Sequence, residues 1–486
     1  MSDRRQPSML DALIPIAVLV VLLSSSVILF ADDSSYGPNQ IALLLAMGVA
    51  AIIGLKNGYK WKEIEEGIVH GISLSLGAVL ILLSVGALIG TWLLSGTVPM
   101  LIYYGLKLLD PSFFYAATCI ICAIVAMSIG SSWTTAATVG VALIGVANGM
   151  GMSEAVTAGA IVSGAYFGDK ISPLSETTNL APAVAGTELF EHIRYMLWTT
   201  IPSFVLAILL FVIVGLNASG QASLEKIERM QQLLEANFEL SPVLLVPLIV
   251  LLVLAVRKVP AFPTVSIGAL LGGLWAAWFQ PDVVQSLAEQ GREGWLASVT
   301  VVWTSLFNGV SLDTGNADLD DLLSGGGMSS MLNTIWLIIC AMSFGAVVEK
   351  TGLLKRVVTV FLKGAKTAGG MVTRTMFTCL GTNLITADQY MSIVMPGRMY
   401  KEEFAKRGLH QLNLSRSLED GGTLTSPLIP WNTCGAYMHS VLMVSPLEYI
   451  FFAFFNLINP VLAIIYAYLG IKILRIPVPS PEPGKA

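Results

Sequence analysis

The hydrophobic positions of this chain fall into long, nearly unbroken runs at 9–31, 38–55, 70–94, 195–216, 241–256, 262–279, 331–348 and 447–470. Each is near the roughly 17 to 25 residues that a helix needs to cross a bilayer. Between them lie 111–150, 154–185, 368–399 and 411–440, apolar overall but interrupted by clusters of hydroxyls, amides, glycine, proline and acids. The connectors are short, apart from 217–240, which reads as an extramembrane surface helix, and 280–330, which is acidic and glycine-rich. The pattern predicts an all-α polytopic membrane protein with about ten membrane-crossing helices, two re-entrant hairpins (111–150 and 368–399) and two broken helices (154–185 and 411–440).

The halves resemble one another at a shift of about 250 residues. "SVGALIGTWLLSGTVPMLIYYGLKLL" (84–109) lies opposite "CAMSFGAVVEKTGLLKRVVTVFLKGA" (340–365), "GSSWTTA" (130–136) opposite "GTNLITA" (381–387), and "GDKISPLSETTN" (168–179) opposite "GTLTSPLIPWNT" (422–433). A first copy over 1–216 and a second over 241–486, joined by 217–240, follows. Cytoplasmic connectors are enriched in Lys and Arg. The second copy's connectors hold Lys350, Lys355, Arg356, Lys363 and Lys366, then Arg398, Lys401, Lys406 and Arg407, whereas the matching connectors of the first hold only Lys107. The copies are therefore expected to face opposite ways, with both termini, Arg257 and Lys258 cytoplasmic and 280–330 external. Inverted repeats with broken helices are a signature of secondary transporters.

Composition agrees: of 486 residues 55% are hydrophobic and 12% charged, against about 25% charged in soluble domains. That leaves no room for a sizeable soluble core, and no nucleic-acid partner is expected. The net charge of -5 says less than the placement of the charges. The apolar run after "MSDRRQPS" is span-length with no A-x-A cleavage site, so it reads as the first span and not as a signal peptide. Cys119, Cys122, Cys340, Cys379 and Cys434 all sit in or beside apolar segments, which fits packing and not a disulfide framework. His70, His192, His410 and His439 are scattered, and no Cys/His cluster suits zinc.

The interrupted segments carry the chemistry. Irregular backbone survives at membrane depth only when buried or lining a cavity. "SIGSSWTTAA" and "LGTNLITADQ" read as hairpin tips, each with a glycine to reverse the chain. "GDKISPLSETTNLAP" and "LEDGGTLTSPLIPWNT" read as helices opened by proline, whose freed carbonyls are cation ligands. Charges at bilayer depth usually mark an ion or proton pathway. Asp169, Asp388 and Asp420 fall at or beside these breaks, and a hard cation such as Na+ favours carboxylate, hydroxyl and carbonyl oxygen. Candidate ligands are Ser132, Thr135, Ser172, Thr178, Asn179, Thr382, Asn383, Thr425 and Asn432, with Asp169 and Asp388 foremost. Structural roles stay open for each acid: Asp169 as the partner of Lys170, Asp388 as a helix N-cap, Asp420 at a cytoplasmic entrance, and Glu176 as a cap or a cavity-facing charge.

"GAYFGDKISPLSETTNLAPAVAGTELFEHIRYMLWTTIP", with "GTNLITADQYMSIVMPGRMY" and "LEDGGTLTSPLIPWNTCGAYM", resembles the NhaC family of bacterial Na+/H+ antiporters within the ion transporter superfamily. The likeness covers nearly the whole chain, with Glu176 where the family pattern has Asp. It implies inverted repeats with paired hairpins, residence in the bacterial cytoplasmic membrane, homodimers, elevator-type movement and Na+ and H+ as transported ions, with no cofactor. The same family holds malate/lactate exchangers and amino-acid carriers, so substrate is an open alternative.

The mechanism expected is competition of Na+ and H+ for buried carboxylates. A carboxylate carrier would need a cationic clamp, for which Lys170 is the candidate in the first copy. An intramembrane aspartyl protease fits poorly, because Tyr166 stands where a GxGD element needs glycine. A channel is disfavoured by paired hairpins and inverted copies.

Overall fold

A computed structural model of the chain describes residues 5–30, 34, 36–218, 224–288, 293–312, 320, 323–362 and 367–476. The first apolar runs fold as expected. Helix α1 (Met9–Phe30) and α2 (Pro38–Lys56) form a hairpin pinned at one end by Lys56 and Asp11, 2.8 Å apart, and at the other by Ser26 donating to Asn39 at 2.8 Å. Helix α3 (Trp61–Leu94) starts nine residues before its apolar run, because Glu63 accepts from the Lys60 N–H at 2.9 Å and caps it there. Gly96, left-handed at φ 76°, turns the chain into α4 (Thr97–Leu108).

The first interrupted pair gives α5 (Phe114–Ile129) and α6 (Ser132–Met150), the latter with a π-helical turn at Ala136–Gly140. They are followed by α7 (Glu154–Ile171) and α8 (Glu176–Ala185), and then by α9 (Leu189–Ala218). Helices α5 and α7 pack backbone to backbone: a Cβ at Gly164 would lie 2.1 Å from the Cys119 carbonyl oxygen. Small residues let membrane helices approach this closely. Cys119 and Cys122 are buried free thiols in this interface.

The expected surface helix is α10 (Leu224–Asn237), whose buried Ile227, Met230 and Leu234 form the apolar stripe of an amphipathic helix. It meets Pro242–Val256, which ends in α11 (Val246–Val256), at 93°. Next come α12 (Ala261–Phe279), α13 (Pro281–Ser286) and α14 (Trp295–Asn308). The last of these departs from expectation. Within the stretch read as an acidic connector, α14 packs on α3 and α12 and leaves Trp295, Val299 and Trp303 exposed. Asp313, Asp318 and Asp321, which made that stretch acidic, lie outside the described residues, as do Lys363, Lys366 and the first four residues.

The second half continues with α15 (Leu332–Lys350), α16 (Leu353–Leu362), α17 (Ala368–Thr386), α18 (Gln389–Lys406), α19 (Gln411–Leu418), α20 (Thr433–Leu442), α21 (Pro446–Tyr449) and α22 (Phe454–Leu469). The run read as one span at 447–470 is bent by 57° between Pro446–Phe452 and Phe454–Leu469. Among the described residues seven helices are long and apolar enough to cross a membrane, or nine if two bent pairs each make one span. The about ten expected counted the two broken helices as crossings, and their separate pieces α7, α8, α19 and α20 are not among these helices.

The backbone repeats itself with a constant offset. Left-handed residues occur at Gly130 and Ala387, at Gly151 and Gly408, and at Gly186 and Met443. Side-chain N-caps occur at Ser131 and Asp388, Ser153 and His410, and Ser175 and Asn432. Each pair lies 257 residues apart. This register corrects the sequence-based one, which set Gly130 opposite Gly381. The second hairpin turns at Ala387 and Asp388, so Gly381, Thr382 and Asn383 belong to the last turns of α17. Serine or aspartate caps and left-handed residues define the ends of helices, and here they align the halves better than residue identity.

Candidate ion-binding site

The loop between α5 and α6 puts Ser131 and Ser132 at a helix N-terminus. Ser131 caps the helix by accepting from the Thr134 N–H at 3.1 Å, which aims the backbone and side chain of Ser132 at the end of α7. There one oxygen of Asp169 accepts from the Ser132 hydroxyl at 2.7 Å and from its N–H at 3.1 Å. Asp169 is buried, and these two donors favour its charged form. The hairpin tip is held down by its glycine: at Gly130 a Cβ would fall 2.5 Å from that of Leu174.

The break between α7 and α8 is closed by its own side chains. The Thr178 hydroxyl donates to the carbonyls of Asp169 and Lys170 at 3.1 and 3.0 Å, Ser172 Oγ accepts from the Leu174 N–H, and Asn179 donates to the carbonyls of Pro173 and Ser175. Among the carbonyls at the break, expected as cation ligands, those of Asp169, Lys170, Pro173 and Ser175 thus already have side-chain donors. The second break behaves alike. A π-helical turn at Glu419–Thr423 and a 3-10 turn at Ser426–Leu428 separate α19 from α20. Asn383 donates to the Gly422 carbonyl at 2.7 Å and to Thr425 Oγ at 3.0 Å, and Asn432 donates to Asn383 Oδ1 at 3.1 Å.

Asp388 is the N-cap of α18, accepting from the Met391 N–H at 2.8 Å. It also lines a cavity of about 770 Å³ together with Asp169. Other lining residues are Ser131, Ser132, Glu176, Asn179, Lys258 and Tyr390. Two crossing contacts build this cavity. Tyr390, after Asp388 on α18, donates its hydroxyl to Glu176 of α8. Trp133, after Ser132 on α6, stacks on Tyr437 of α20 with ring centroids 4.0 Å apart, and its carbonyl accepts from the Tyr437 hydroxyl at 3.0 Å. Trp133 and Tyr390 are themselves 257 residues apart, so each hairpin tip reaches the broken helix of the other half.

Of the candidates, Asp169, Asp388, Ser132 and Asn179 line the cavity. Ser172, Thr178, Asn383, Thr425 and Asn432 fix the breaks, while Thr135 and Thr382 bond carbonyls one helical turn back, Ser131 at 2.9 Å and Thr378 at 2.8 Å. Lys170 does not pair with Asp169. Its ammonium lies 2.7 Å from Asp420, and both side chains are fully buried. Asp420 is therefore neither a cavity residue nor an exposed entrance residue, and Lys170 is no clamp for a substrate in the cavity. Gln389, Tyr390 and Cys434 also line the cavity. Their signal in the sequence was position, the first turns after the Asp388 and Asn432 caps.

The sequence model described as the Na+/H+ antiporter family matches residues 164–471, from the middle of α7 through α22, and so includes both breaks and the second hairpin. The chain belongs to this family. It is 37% identical over 434 residues to the Na+/H+ antiporter NhaC of Alkalihalophilus pseudofirmus, covering 89% of this chain and 91% of the relative. Over 472 residues it is 38% identical to the malate-2H+/Na+-lactate antiporter of Bacillus subtilis, covering 97% and 96%. It is 36% identical over 483 residues to the arginine/ornithine antiporter ArcD of Halobacterium salinarum, covering 98% and 96%. These relatives are transporters and not enzymes, and with its long apolar helices this antiporter-family member is an integral multi-pass membrane protein.

Proposed function

We propose that this antiporter-family member exchanges Na+ for H+, the two ions competing for Asp169 with Asp388 across the same cavity. The observation that carries the reading is the joint presence of Asp169, Asp388 and Glu176 on a cavity whose lining, among the described residues, includes a single basic side chain, Lys258. Three carboxylates to one ammonium attract a cation and repel an organic anion. Na+ needs the ionised carboxylate and the proton neutralises it, so one occupant excludes the other. The occupied, neutral site crosses the barrier, because a bare buried carboxylate is penalised by several kcal/mol.

The halves act as inverted copies in alternating access. On the Lys and Arg bias, Lys258 marks the cytoplasmic side, so the large cavity is the cytoplasmic mouth. A second cavity of about 60 Å³ is lined by Thr334, Pro430, Ala436, His439 and Ser440. Thr334, Pro430 and Ala436 stand 257 residues after Gly77, Pro173 and Asn179 of the large cavity. It is the closed counterpart mouth, shut where Thr334 and Ser440 hydrogen-bond hydroxyl to hydroxyl. Elevator movement and a homodimeric scaffold complete the proposal by resemblance.

A second reading is favoured by size alone: about 770 Å³ is within the roughly 300 to 1,000 Å³ of small-molecule sites, so a small organic acid or amino acid has room beside Lys258. Proteoliposomes with a pH-sensitive dye separate the two. Na+ alone should drive proton movement, and Asp169→Asn and Asp388→Asn should each abolish it. Normal exchange in both variants, or exchange that requires malate, lactate or arginine, would overturn the first reading.

A further inference from the structure

Besides the cavity acids and the lysine-paired Asp11 and Asp420, the described residues bury one more carboxylate, Glu419, for which the proposed exchange has no use. We propose that Glu419 is a second proton-binding carboxylate, separate from the cavity, and that it holds its proton in the conformation described.

Glu419 opens the π-helical turn of the second break and is fully buried. Neither of its oxygens accepts a hydrogen bond of good geometry; the adjacent Thr423 hydroxyl is near enough to act on the acid but is not aligned to donate to it. Asp169 has comparable burial but two donors from Ser132, so the two acids differ in what stabilises a charge, not in depth.

The surrounding charges do not supply the deficit. Lys170 and Asp169 of α7 and Asp420 of the same turn act on Glu419 through space, and Cys379 of α17 faces it. The Lys170 ammonium is already matched by Asp420 at 2.7 Å, and the same Asp420 oxygen accepts from Asn459 of α22 at 2.7 Å. Arg416, one turn earlier, lies over the Tyr195 ring at 4.4 Å and donates to the Lys472 carbonyl. Helix α18 presents Ser392 at Gly422. An ionised Glu419 would be a second anion beside a pair that is already neutral, fully buried and with no well-aligned donor on either oxygen. A buried group in that position neutralises itself by keeping its proton.

The turn also touches the cavity. Gln389, a lining residue, donates through Nε2 to the Thr423 carbonyl at 3.4 Å. Movement of the second break would thus disturb Glu419 and the Asp388 end of the cavity together.

Infrared spectroscopy of the purified full-length protein in lipid tests the assignment without any transport assay, so its outcome is independent of the Na+/H+ reading. At neutral pH the spectrum should contain a protonated-carboxyl C=O band that is lost in Glu419→Gln and persists in Asp169→Asn. Asp420→Asn should also remove the band, because Lys170, deprived of its partner, is then matched by ionised Glu419. Glutamine has the size and neutrality of the protonated acid, so Glu419→Gln should fold with an unchanged melting temperature. A folded Glu419→Gln protein that keeps the band and loses a carboxylate band instead would overturn the proposal. So would a Glu419→Gln protein that fails to fold while Glu419→Asp folds.

Discussion

Ser132→Ala tests the proposed site most directly, because it removes one atom and leaves the cavity shape intact. The hydroxyl donates at 2.7 Å to the Asp169 oxygen that also accepts from the Ser132 N–H at 3.1 Å, so the variant halves the donors on that oxygen without uncovering it. A hydrogen bond to a charged group contributes about 1.5 to 3 kcal/mol. The ionised form that holds Na+ loses this contribution, while the protonated form has less need of the donor. Each 1.4 kcal/mol is tenfold, so the preference of the site for Na+ over H+ should fall by about 10- to 100-fold. Half-saturating Na+ for exchange, measured in proteoliposomes at two pH values, should rise by that factor at the lower pH. It should rise less at the higher pH, where protons compete weakly. Ser132→Thr, which keeps the hydroxyl, should restore most of the affinity. An unchanged Na+ requirement at both pH values in correctly folded Ser132→Ala would refute Asp169 as the shared site.

The two hairpin turns should respond oppositely to a methyl group. Gly130→Ala meets Leu174 and Ser175 at 2.5 to 2.9 Å in a left-handed conformation and should lower the melting temperature sharply, whereas Ala387→Gly, at φ 55°, should stay within about 1 kcal/mol of the parent. Thermal unfolding in detergent checks both. Removing one member of the buried Lys170–Asp420 pair should cost about 3 to 5 kcal/mol, and Lys170→Met with Asp420→Asn together should recover much of it in a double-mutant cycle. Ser440→Cys should react slowly with a membrane-impermeant thiol reagent in the state described, and the reaction should speed up once the counterpart mouth opens during turnover. Equal labelling with and without a Na+ gradient would count against that mouth.

Much of the architecture was legible because burial in lipid leaves few options. Span-length apolar runs became α1, α2, α12 and α15 nearly residue for residue, since a helix satisfies its own backbone. Both breaks were visible because Pro173, Pro427 and their neighbouring hydroxyls have no place in a continuous span. Three features escaped. The register of the repeat is carried by caps and left-handed turns, in which Gly130 answers to Ala387 and Ser131 to Asp388, so matching letters aligned the halves a few residues off. Asp169 stood beside Lys170 in sequence as a candidate partner, but the end of α7 turns the lysine toward Asp420, which lies 250 residues away. The apolar α14 was hidden by the acidic residues that follow it.

The corrected register also changes how the site relates to the repeat. In it, Asp169 answers to Ser426 and Asp388 to Ser131, so each half supplies one of the two aspartates, but from a different element: a broken helix in the first and a hairpin cap in the second. The crossing contacts of Trp133 and Tyr390 bring these two unlike contributions to one cavity. The small counterpart cavity has no acid among its described lining residues. If the halves exchange conformations, the described lining of the mouth that opens there offers no carboxylate, and a cation leaving through it leaves from Asp169 and Asp388. A single site reached by turns from two mouths follows from this placement, and a row of sites along a continuous pore does not. That is why exchange, and not conduction, is the activity proposed.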